Sequence, residues 1–346
     1  MNFVFTVFFI SMKRPAYLLT ALFLLATASC SEKTLNDIDA NPNQLQDAPL
    51  SALLPHATLT TLYQVSGSIT ASGAGIMAEL YTLTDVSSRV QTNIQIYGNG
   101  SWDGSYVALR SYREVRRKAE AEQRWGYVAV ADILSAYTLS VLVDLFGDVP
   151  YAQALQGPEN RQPAFDKAQE LYSEMLRLLD SGLQNADKAT AASQRPGRDD
   201  LIFGGNLALW KKTAHGLKAR LYNRLSNTDP AGTARNALAA LEGSLAPNEA
   251  FAATFYTTTP ANANPMANAQ FSQSTVAVGN GIVAAMRSFL DEGEDLLADP
   301  RAAIWFTRIG GRVVPAPNGR ASTDVTIAGT LYSKPQHLRE RAAPQP

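Results

Sequence analysis

Apolar residues recur every three or four positions from Ala48 onward, which predicts a mainly helical chain. Leu50, Leu53 and Leu54 begin this pattern, and such spacing places apolar side chains along one face of a helix. The same spacing continues through most of the chain and predicts helices over 106–124, 127–146, 165–185, 206–226, 230–241 and 281–290. The segment 106–124 is rich in both basic and acidic residues and is predicted to lie at the surface.

The segment 127–146 is the most apolar of these helices. Between Asp132 and Asp144 the chain carries only uncharged residues, from Ile133 to Val143. This run is shorter than the roughly 20 residues needed to cross a bilayer, yet it is too apolar for a helix on the surface. The pattern therefore predicts a central helix that is buried by the others.

The segment 206–226 has the clearest apolar stripe. Trp210, Ala214 and Leu221 fall on one side of a helical wheel, together with Leu217 and Leu225. Five basic residues lie off that stripe: Lys211, Lys212, Lys218, Arg220 and Arg224. A basic groove is one interpretation. We favour a solvated face whose cations pair with carboxylates on other elements.

Three stretches interrupt the helical pattern. Residues 98–104 contain three glycines and predict a break, and 303–314 resembles a strand. Residues 246–281 have one charge, Glu249, and no clear period, which is typical of a long loop inside a domain. The predicted fold is all-α: tetratricopeptide-like helix pairs with long irregular loops and minor β structure. No clean repeat of fixed length supports the solenoid.

The N-terminus has the features of an export signal. Lys13 and Arg14 precede an apolar run over 16–26, and small residues lead to Cys30, the single cysteine. The predicted signal peptide is 1–29, and a start at Met12 gives a cleaner basic region. Cys30 then becomes a lipidated first residue, followed by a polar tether over 30–47. The alternative is an ordinary signal peptide with an incidental cysteine.

Composition excludes several kinds of function. Without 1–29 the chain keeps 28 of its 30 basic residues and all 31 acidic ones, a net charge of −3, which argues against a nucleic-acid partner. Three scattered histidines and one cysteine predict no metal site and no cofactor. The G-x-G-x-x-A run at 73–78 follows no strand-like segment, which argues against a dinucleotide-binding site. Glu292, Glu294 and Asp295 are interpreted as a solvated acidic turn rather than a glycosidase pair.

The strongest motif is Asp144-Leu-Phe-Gly-Asp-Val-Pro-Tyr151. It resembles the FGDVPY signature of SusD/RagB nutrient-binding outer-membrane lipoproteins of Bacteroidetes. Asn41-Pro42-Asn43, Asp200-Leu-Ile-Phe-Gly-Gly205 with Trp210, and Asp299-Pro-Arg301 resemble other blocks of that family, in order. The chain is therefore identified as a member of its divergent SusD-like branch.

This resemblance implies a lipid-anchored protein on the outer membrane, at the cell surface. Such a protein captures oligosaccharides or peptides, delivers them to a SusC-type TonB-dependent transporter, and is not an enzyme. The expected SusD-like domain covers 48–333 and is shorter than usual, as if truncated at its C-terminus, with an aberrant tail over 334–346. The alternative hypothesis is a helical-repeat scaffold that binds only proteins.

The signature itself is predicted to be a corner of the fold. Gly147 can end the helix in a left-handed turn, and Asp148 can accept hydrogen bonds from amides of that turn. Pro150 prevents the helix from resuming. Phe146 and Tyr151 complete this structural signature.

Residues that bind the ligand are expected among exposed aromatic and amide side chains. Aromatic rings stack on the apolar faces of sugars, and amides bond to hydroxyl groups. The predicted ligand-binding set is Tyr81, Tyr97, Asn99, Trp102, Tyr256 and Asn268. Trp102 and Tyr106 lie one helical turn apart, so a role in the core is an equal alternative for both.

Overall fold

The computed structural model describes residues 48–65, 81–83, 99–156, 160–252, 256, 276–291, 294–315, 326–327 and 330–331. The chain divides between Ala48 and Pro49, and every element below belongs to the part that starts at Pro49. The predicted signal peptide, Cys30, the tether, the tail over 334–346, Tyr97 and Asn268 lie outside the described residues.

Eight helices and two small β ladders make up the described part of the chain. The helices are α1 Leu50–Gln64, α2 Asn99–Ala121, α3 Trp125–Phe146, α4 Ala168–Lys188, α5 Leu207–Arg224, α6 Pro230–Leu241, α7 Asn280–Arg287 and α8 Pro300–Trp305. The strands are β1 Tyr81–Leu83, β2 Val276–Val278, β3 Thr326–Ile327 and β4 Thr330–Leu331. Strand β1 pairs antiparallel with β2, and β3 with β4.

Helices α1 to α6 pack mainly against their neighbours in sequence. This sequential packing is the arrangement expected of stacked helix pairs, and it confirms the predicted all-α scaffold with minor β structure. A buried polar chain links the first three helices. The Thr61 hydroxyl lies 2.9 Å from the Tyr112 hydroxyl and 3.0 Å from that of Thr138.

Helix α3 is the centre of the main core, as its composition predicts. It is buried all round from Gly126 to Ala136, and packs between α2 and α4. With 22 residues it is long and apolar enough to span a membrane, but 83% of its most apolar window is buried inside the protein. The length argument against a span therefore does not hold, whereas the prediction of a buried central helix is confirmed.

Helix α2 differs from its prediction in two ways. It begins at Asn99, so the expected break at 98–104 is wrong from Asn99 onward. Gly104 lies inside the helix, and the Gln64 side chain of α1 packs against it in the space that a Cβ would occupy. The helix is also not purely a surface helix, since Ala108, Tyr112 and Val115 on one side are fully buried.

The basic face of α5 is a set of ion pairs, which confirms the favoured interpretation. Four of its five cations reach carboxylates on other elements at 2.6–2.8 Å: Lys211 to Asp187, Lys212 to Glu249, Lys218 to Asp180 and Arg224 to Asp144. The helix begins with Asn206, whose side chain accepts hydrogen bonds from the amides of Ala208 and Leu209.

The region after β2 forms a second, smaller core. Val283, Met286, Leu296 and Phe306 are its main buried members. The strand-like expectation for 303–314 is wrong at its start, because α8 runs to Trp305 and begins at Pro300 with Asp299 as its N-cap. After this helix, single bridge positions follow at Phe306, Ile309 and Arg312, and the last two pair with each other.

Candidate functional site

Of the predicted ligand-binding residues, the structure describes Tyr81 in β1, Asn99 and Trp102 at the start of α2, and Tyr256. Tyr81 pairs in register with Val278 of β2, so the chain just before α7 runs beside it. Asn99 is the first residue of α2 rather than part of a loop, and Trp102 follows it on the same turn. Tyr256 is partly buried. Tyr97 and Asn268 lie outside the described residues.

Trp102 belongs to a group of four rings that we call the aromatic cluster: Trp102, Tyr106, Phe146 and Phe165. The ring centroid of Trp102 lies 5.0 Å from that of Tyr106, 5.1 Å from that of Phe146 and 6.5 Å from that of Phe165. Trp102 is half-buried against the main core, whereas Phe165 is 64% exposed. Trp102 thus both packs and reaches the surface. Phe165 was not predicted as a member of the site, because it lies just before α4, far along the chain from Trp102 and Tyr106.

The signature residues join the end of α3 to the start of α4. Gly147 has φ +74°, and its amide donates to Val143 O at 2.8 Å. Asp148 does not bond to its own turn as expected. Its carboxylate instead accepts from the Ala168 amide at 2.9 Å and from Lys167 Nζ at 2.8 Å. These contacts hold the pKa of Asp148 below its usual value.

The chain after Gly147 is also fixed to α2. The Tyr106 hydroxyl donates to Pro150 O at 2.6 Å, and burial raises the pKa of Tyr106 above its usual value. Asp166 accepts from the amides of Tyr151 and Ala152 at 2.6 and 2.9 Å. The signature is therefore held next to the aromatic cluster by hydrogen bonds to Tyr106 on one side and to Asp166 on the other.

The motif block at 200–210 is built around one buried carboxylate. Asp200 accepts from the amides of Ile202, Phe203 and Gly205, and from Trp210 Nε1 at 2.7 Å. Phe203 and Phe251 pack edge-on against the Trp210 ring at 5.1 and 6.0 Å. The sequence showed the block but not this network. Its contacts are internal, which makes it a support of the fold.

An apolar cavity of about 340 Å³ lies beside this block. Tyr137 of α3, Leu217 and Arg220 of α5, and Phe251 line it. The Tyr137 and Phe251 ring centroids are 5.9 Å apart, and the Arg220 guanidinium lies 5.8 Å from the Tyr137 ring centroid. Such a wall can hold an apolar or aromatic group. Over the ranges described, no cluster of three or more metal-binding side chains is present.

Comparison with known proteins identifies the family. Residues 42–333 match the family model SusD-like_2, which is described as starch-binding associating with outer membrane. The chain belongs to the SusD-like family. The resemblance inferred from the sequence motifs is thereby confirmed.

Solved structures agree with this SusD-like assignment. A SusD/RagB family protein from Bacteroides thetaiotaomicron has a TM-score of 0.71 at 21% identity, with 84% of this chain and 62% of that chain covered. A chitin-binding protein has a TM-score of 0.64 at 19% identity, with 83% and 64% covered. A chitin-binding SusD homolog from Flavobacterium johnsoniae has a TM-score of 0.60 at 18% identity, with 82% and 60% covered.

These likenesses show a shared SusD-like fold. The chain spans between 60% and 64% of the length of these three structures. None of the curated proteins matches it.

Proposed function

We propose that this SusD-like protein binds an oligosaccharide or peptide at the cell surface and passes it to a SusC-type TonB-dependent transporter without changing it chemically. The observation that carries the proposal is the family match over 42–333, to a family described as starch-binding associating with outer membrane. Two of the structural neighbours are named as chitin-binding. Carbohydrate is therefore the ligand class that these relationships favour.

The aromatic cluster supports carbohydrate as the ligand. Trp102 is partly exposed next to the exposed ring of Phe165, and rings in this state stack on the apolar face of a sugar. Asn99, the first residue of α2, remains a predicted member of the site, since amides bond to sugar hydroxyls. Tyr81, Tyr97, Tyr256 and Asn268 remain predicted members of the site.

Substitution of Trp102 tests this ligand site. Trp102→Ala is expected to weaken binding of a starch or chitin hexasaccharide by about tenfold, because loss of one stacked ring removes about 1.4 kcal/mol. Calorimetric titration measures the affinity. Trp305→Ala is the matched control, since Trp305 is a partly exposed tryptophan on α8, outside the predicted ligand-binding set. Equal affinities of the two variants would remove Trp102 from the site.

Cys30 is the proposed anchor to the outer membrane. Its thiol follows the predicted signal peptide, and a lipidated N-terminus holds a protein at a membrane without a spanning helix. In cells fed a labelled fatty acid, the wild-type chain is expected to carry the label and Cys30→Ser to lose it. A labelled Cys30→Ser chain, or an unlabelled wild type, contradicts the anchor. Co-purification of the transporter with the labelled chain tests the partner.

A further inference from the structure

A second, polar cavity of about 310 Å³ opens between α2, α3, α4 and the segment that follows the signature. None of its lining residues lines the apolar cavity or belongs to the aromatic cluster. Most of its lining side chains are charged or carry a hydroxyl group, among them Arg113, Arg116, Asp132, Tyr151, Glu174 and Arg177. A cavity of this size suits one monosaccharide rather than a chain.

Asp132 is a buried carboxylate in this cavity. It is 1% exposed, and accepts from Arg116 Nη1 and from the Ser181 hydroxyl, both at 2.6 Å. Burial raises the pKa of Asp132 to about 6, although the Arg116 charge opposes that shift. A carboxylate held in this way can accept hydrogen bonds from the hydroxyl groups of a ligand.

The three guanidinium groups differ in their partners. Arg116 is paired with Asp132 and Glu120, and Arg177 is held by Glu174 through two bonds of 2.6 Å. Arg113 donates from Nη1 to Ala154 O at 3.0 Å. Among the residues that the structure describes, Arg113 has no carboxylate partner. It is the cation most available to a ligand.

The fourth side of the cavity is the segment from Tyr151 to Leu155. Burial, with the nearby charges of Glu174 and Asp132, raises the pKa of the Tyr151 hydroxyl to about 12. That hydroxyl has no hydrogen-bond partner within the described ranges. Leu155 has φ +65°, a strained conformation for a residue other than glycine and one that is frequent at ligand sites.

The charges define the class of ligand. The cavity walls carry three guanidinium groups and the two carboxylates Asp132 and Glu174, which leaves one excess positive charge. Guanidinium groups bind carboxylates with paired, charge-assisted hydrogen bonds. Asp132, Glu174 and Tyr151 would bond to hydroxyl groups. We infer that this cavity binds a hexuronic acid, with its carboxylate on Arg113 and its hydroxyls on the acidic side of the cavity.

Glucuronate is the probe that tests this inference, with glucose as its uncharged counterpart. Calorimetric titration of the purified protein is expected to show one glucuronate site, and at least tenfold weaker binding of glucose. Arg113→Gln should weaken glucuronate binding by about tenfold or more. Arg110→Gln, which removes the same charge from an exposed position one turn earlier on α2, should leave it unchanged.

Tyr151→Phe is a second variant that removes a single oxygen atom and leaves the ring in place. It should weaken glucuronate binding several-fold, because it removes one hydrogen bond from the cavity. Failure of glucuronate to bind, equal binding of glucose, or equal affinities of Arg113→Gln and Arg110→Gln would each overturn the inference. Binding of starch or chitin fragments is expected to be unchanged in all three variants, so the proposed function is tested separately.

Discussion

Trp210→Ala is expected to lower the free energy of unfolding by about 3–5 kcal/mol, the range for deletion of a large buried aromatic side chain. Trp210 is 0% exposed, and two aromatic rings pack edge-on against it. Its Nε1 also donates to Asp200 at 2.7 Å. Truncation therefore leaves a cavity and removes one of the donors to a buried carboxylate. Urea unfolding followed by circular dichroism at 222 nm measures the loss.

Trp305→Ala is the control for this measurement. Trp305 is 45% exposed at the end of α8, so its removal should cost less than about 1 kcal/mol. Trp210→Phe should fall between the two variants, because it keeps a ring and removes only the indole donor. Equal loss in Trp210→Ala and Trp305→Ala would show that the 200–210 block does not hold the helices together.

Asp200→Asn is expected to cost about 2–4 kcal/mol, since each buried donor left without an acceptor costs about 1–3 kcal/mol. Oδ1 of Asp200 accepts two amides at 3.0 and 3.2 Å, and Oδ2 accepts the Gly205 amide and the Trp210 indole at 2.8 and 2.7 Å. Asparagine offers one oxygen, and its NH₂ group would face two donors. Chemical denaturation gives the difference in stability.

Asp187→Asn provides the matched substitution for this position. The Asp187 side chain is 67% exposed and pairs with Lys211 at the surface, where an ion pair contributes at most about 1 kcal/mol. Its loss should be small by comparison. If Asp200→Asn were as stable as Asp187→Asn, the four-donor network around Asp200 would contribute nothing to the fold.

The sequence predicted the helices well where one face is apolar. In α4, the helix predicted over 165–185, one apolar face is buried: Leu171, Met175, Leu178 and Leu179. Their spacing places them on one side of the helix, which must be shielded from water. Asp229 caps α6 directly before Pro230, a helix-start signal that is visible in the sequence. Local signals of this kind depend only on neighbouring residues, which is why they can be read from the chain.

The errors arose where a distant residue decides the structure. Gly104 looked like a helix break, but it allows Gln64 of α1 to pack closely against α2. Asp148 looked like a cap of its own turn, but it bonds to the start of α4, 20 residues along the chain. Sequence spacing contains no information about these contacts, since they follow from how whole helices pack.

The candidate site was predictable only in part. Trp102 was expected either in the ligand site or in the core, and the structure gives it features of both, half-buried against Phe146 with exposed Phe165 nearby. The charged cavity was not foreseen. Arg113, Asp132 and Arg177 come from three different helices, and no spacing along the chain connects them.

The most direct test of the proposed function is a calorimetric titration of the purified protein with hexasaccharide fragments of starch and chitin, followed by mass spectrometry of the recovered sugar. We expect saturable binding of at least one fragment, at a single site that is weakened by Trp102→Ala, with the fragment recovered at its original mass. Shortened products would contradict a binding protein without enzymatic activity. Absence of binding to every fragment, with the protein folded, would contradict carbohydrate as its ligand.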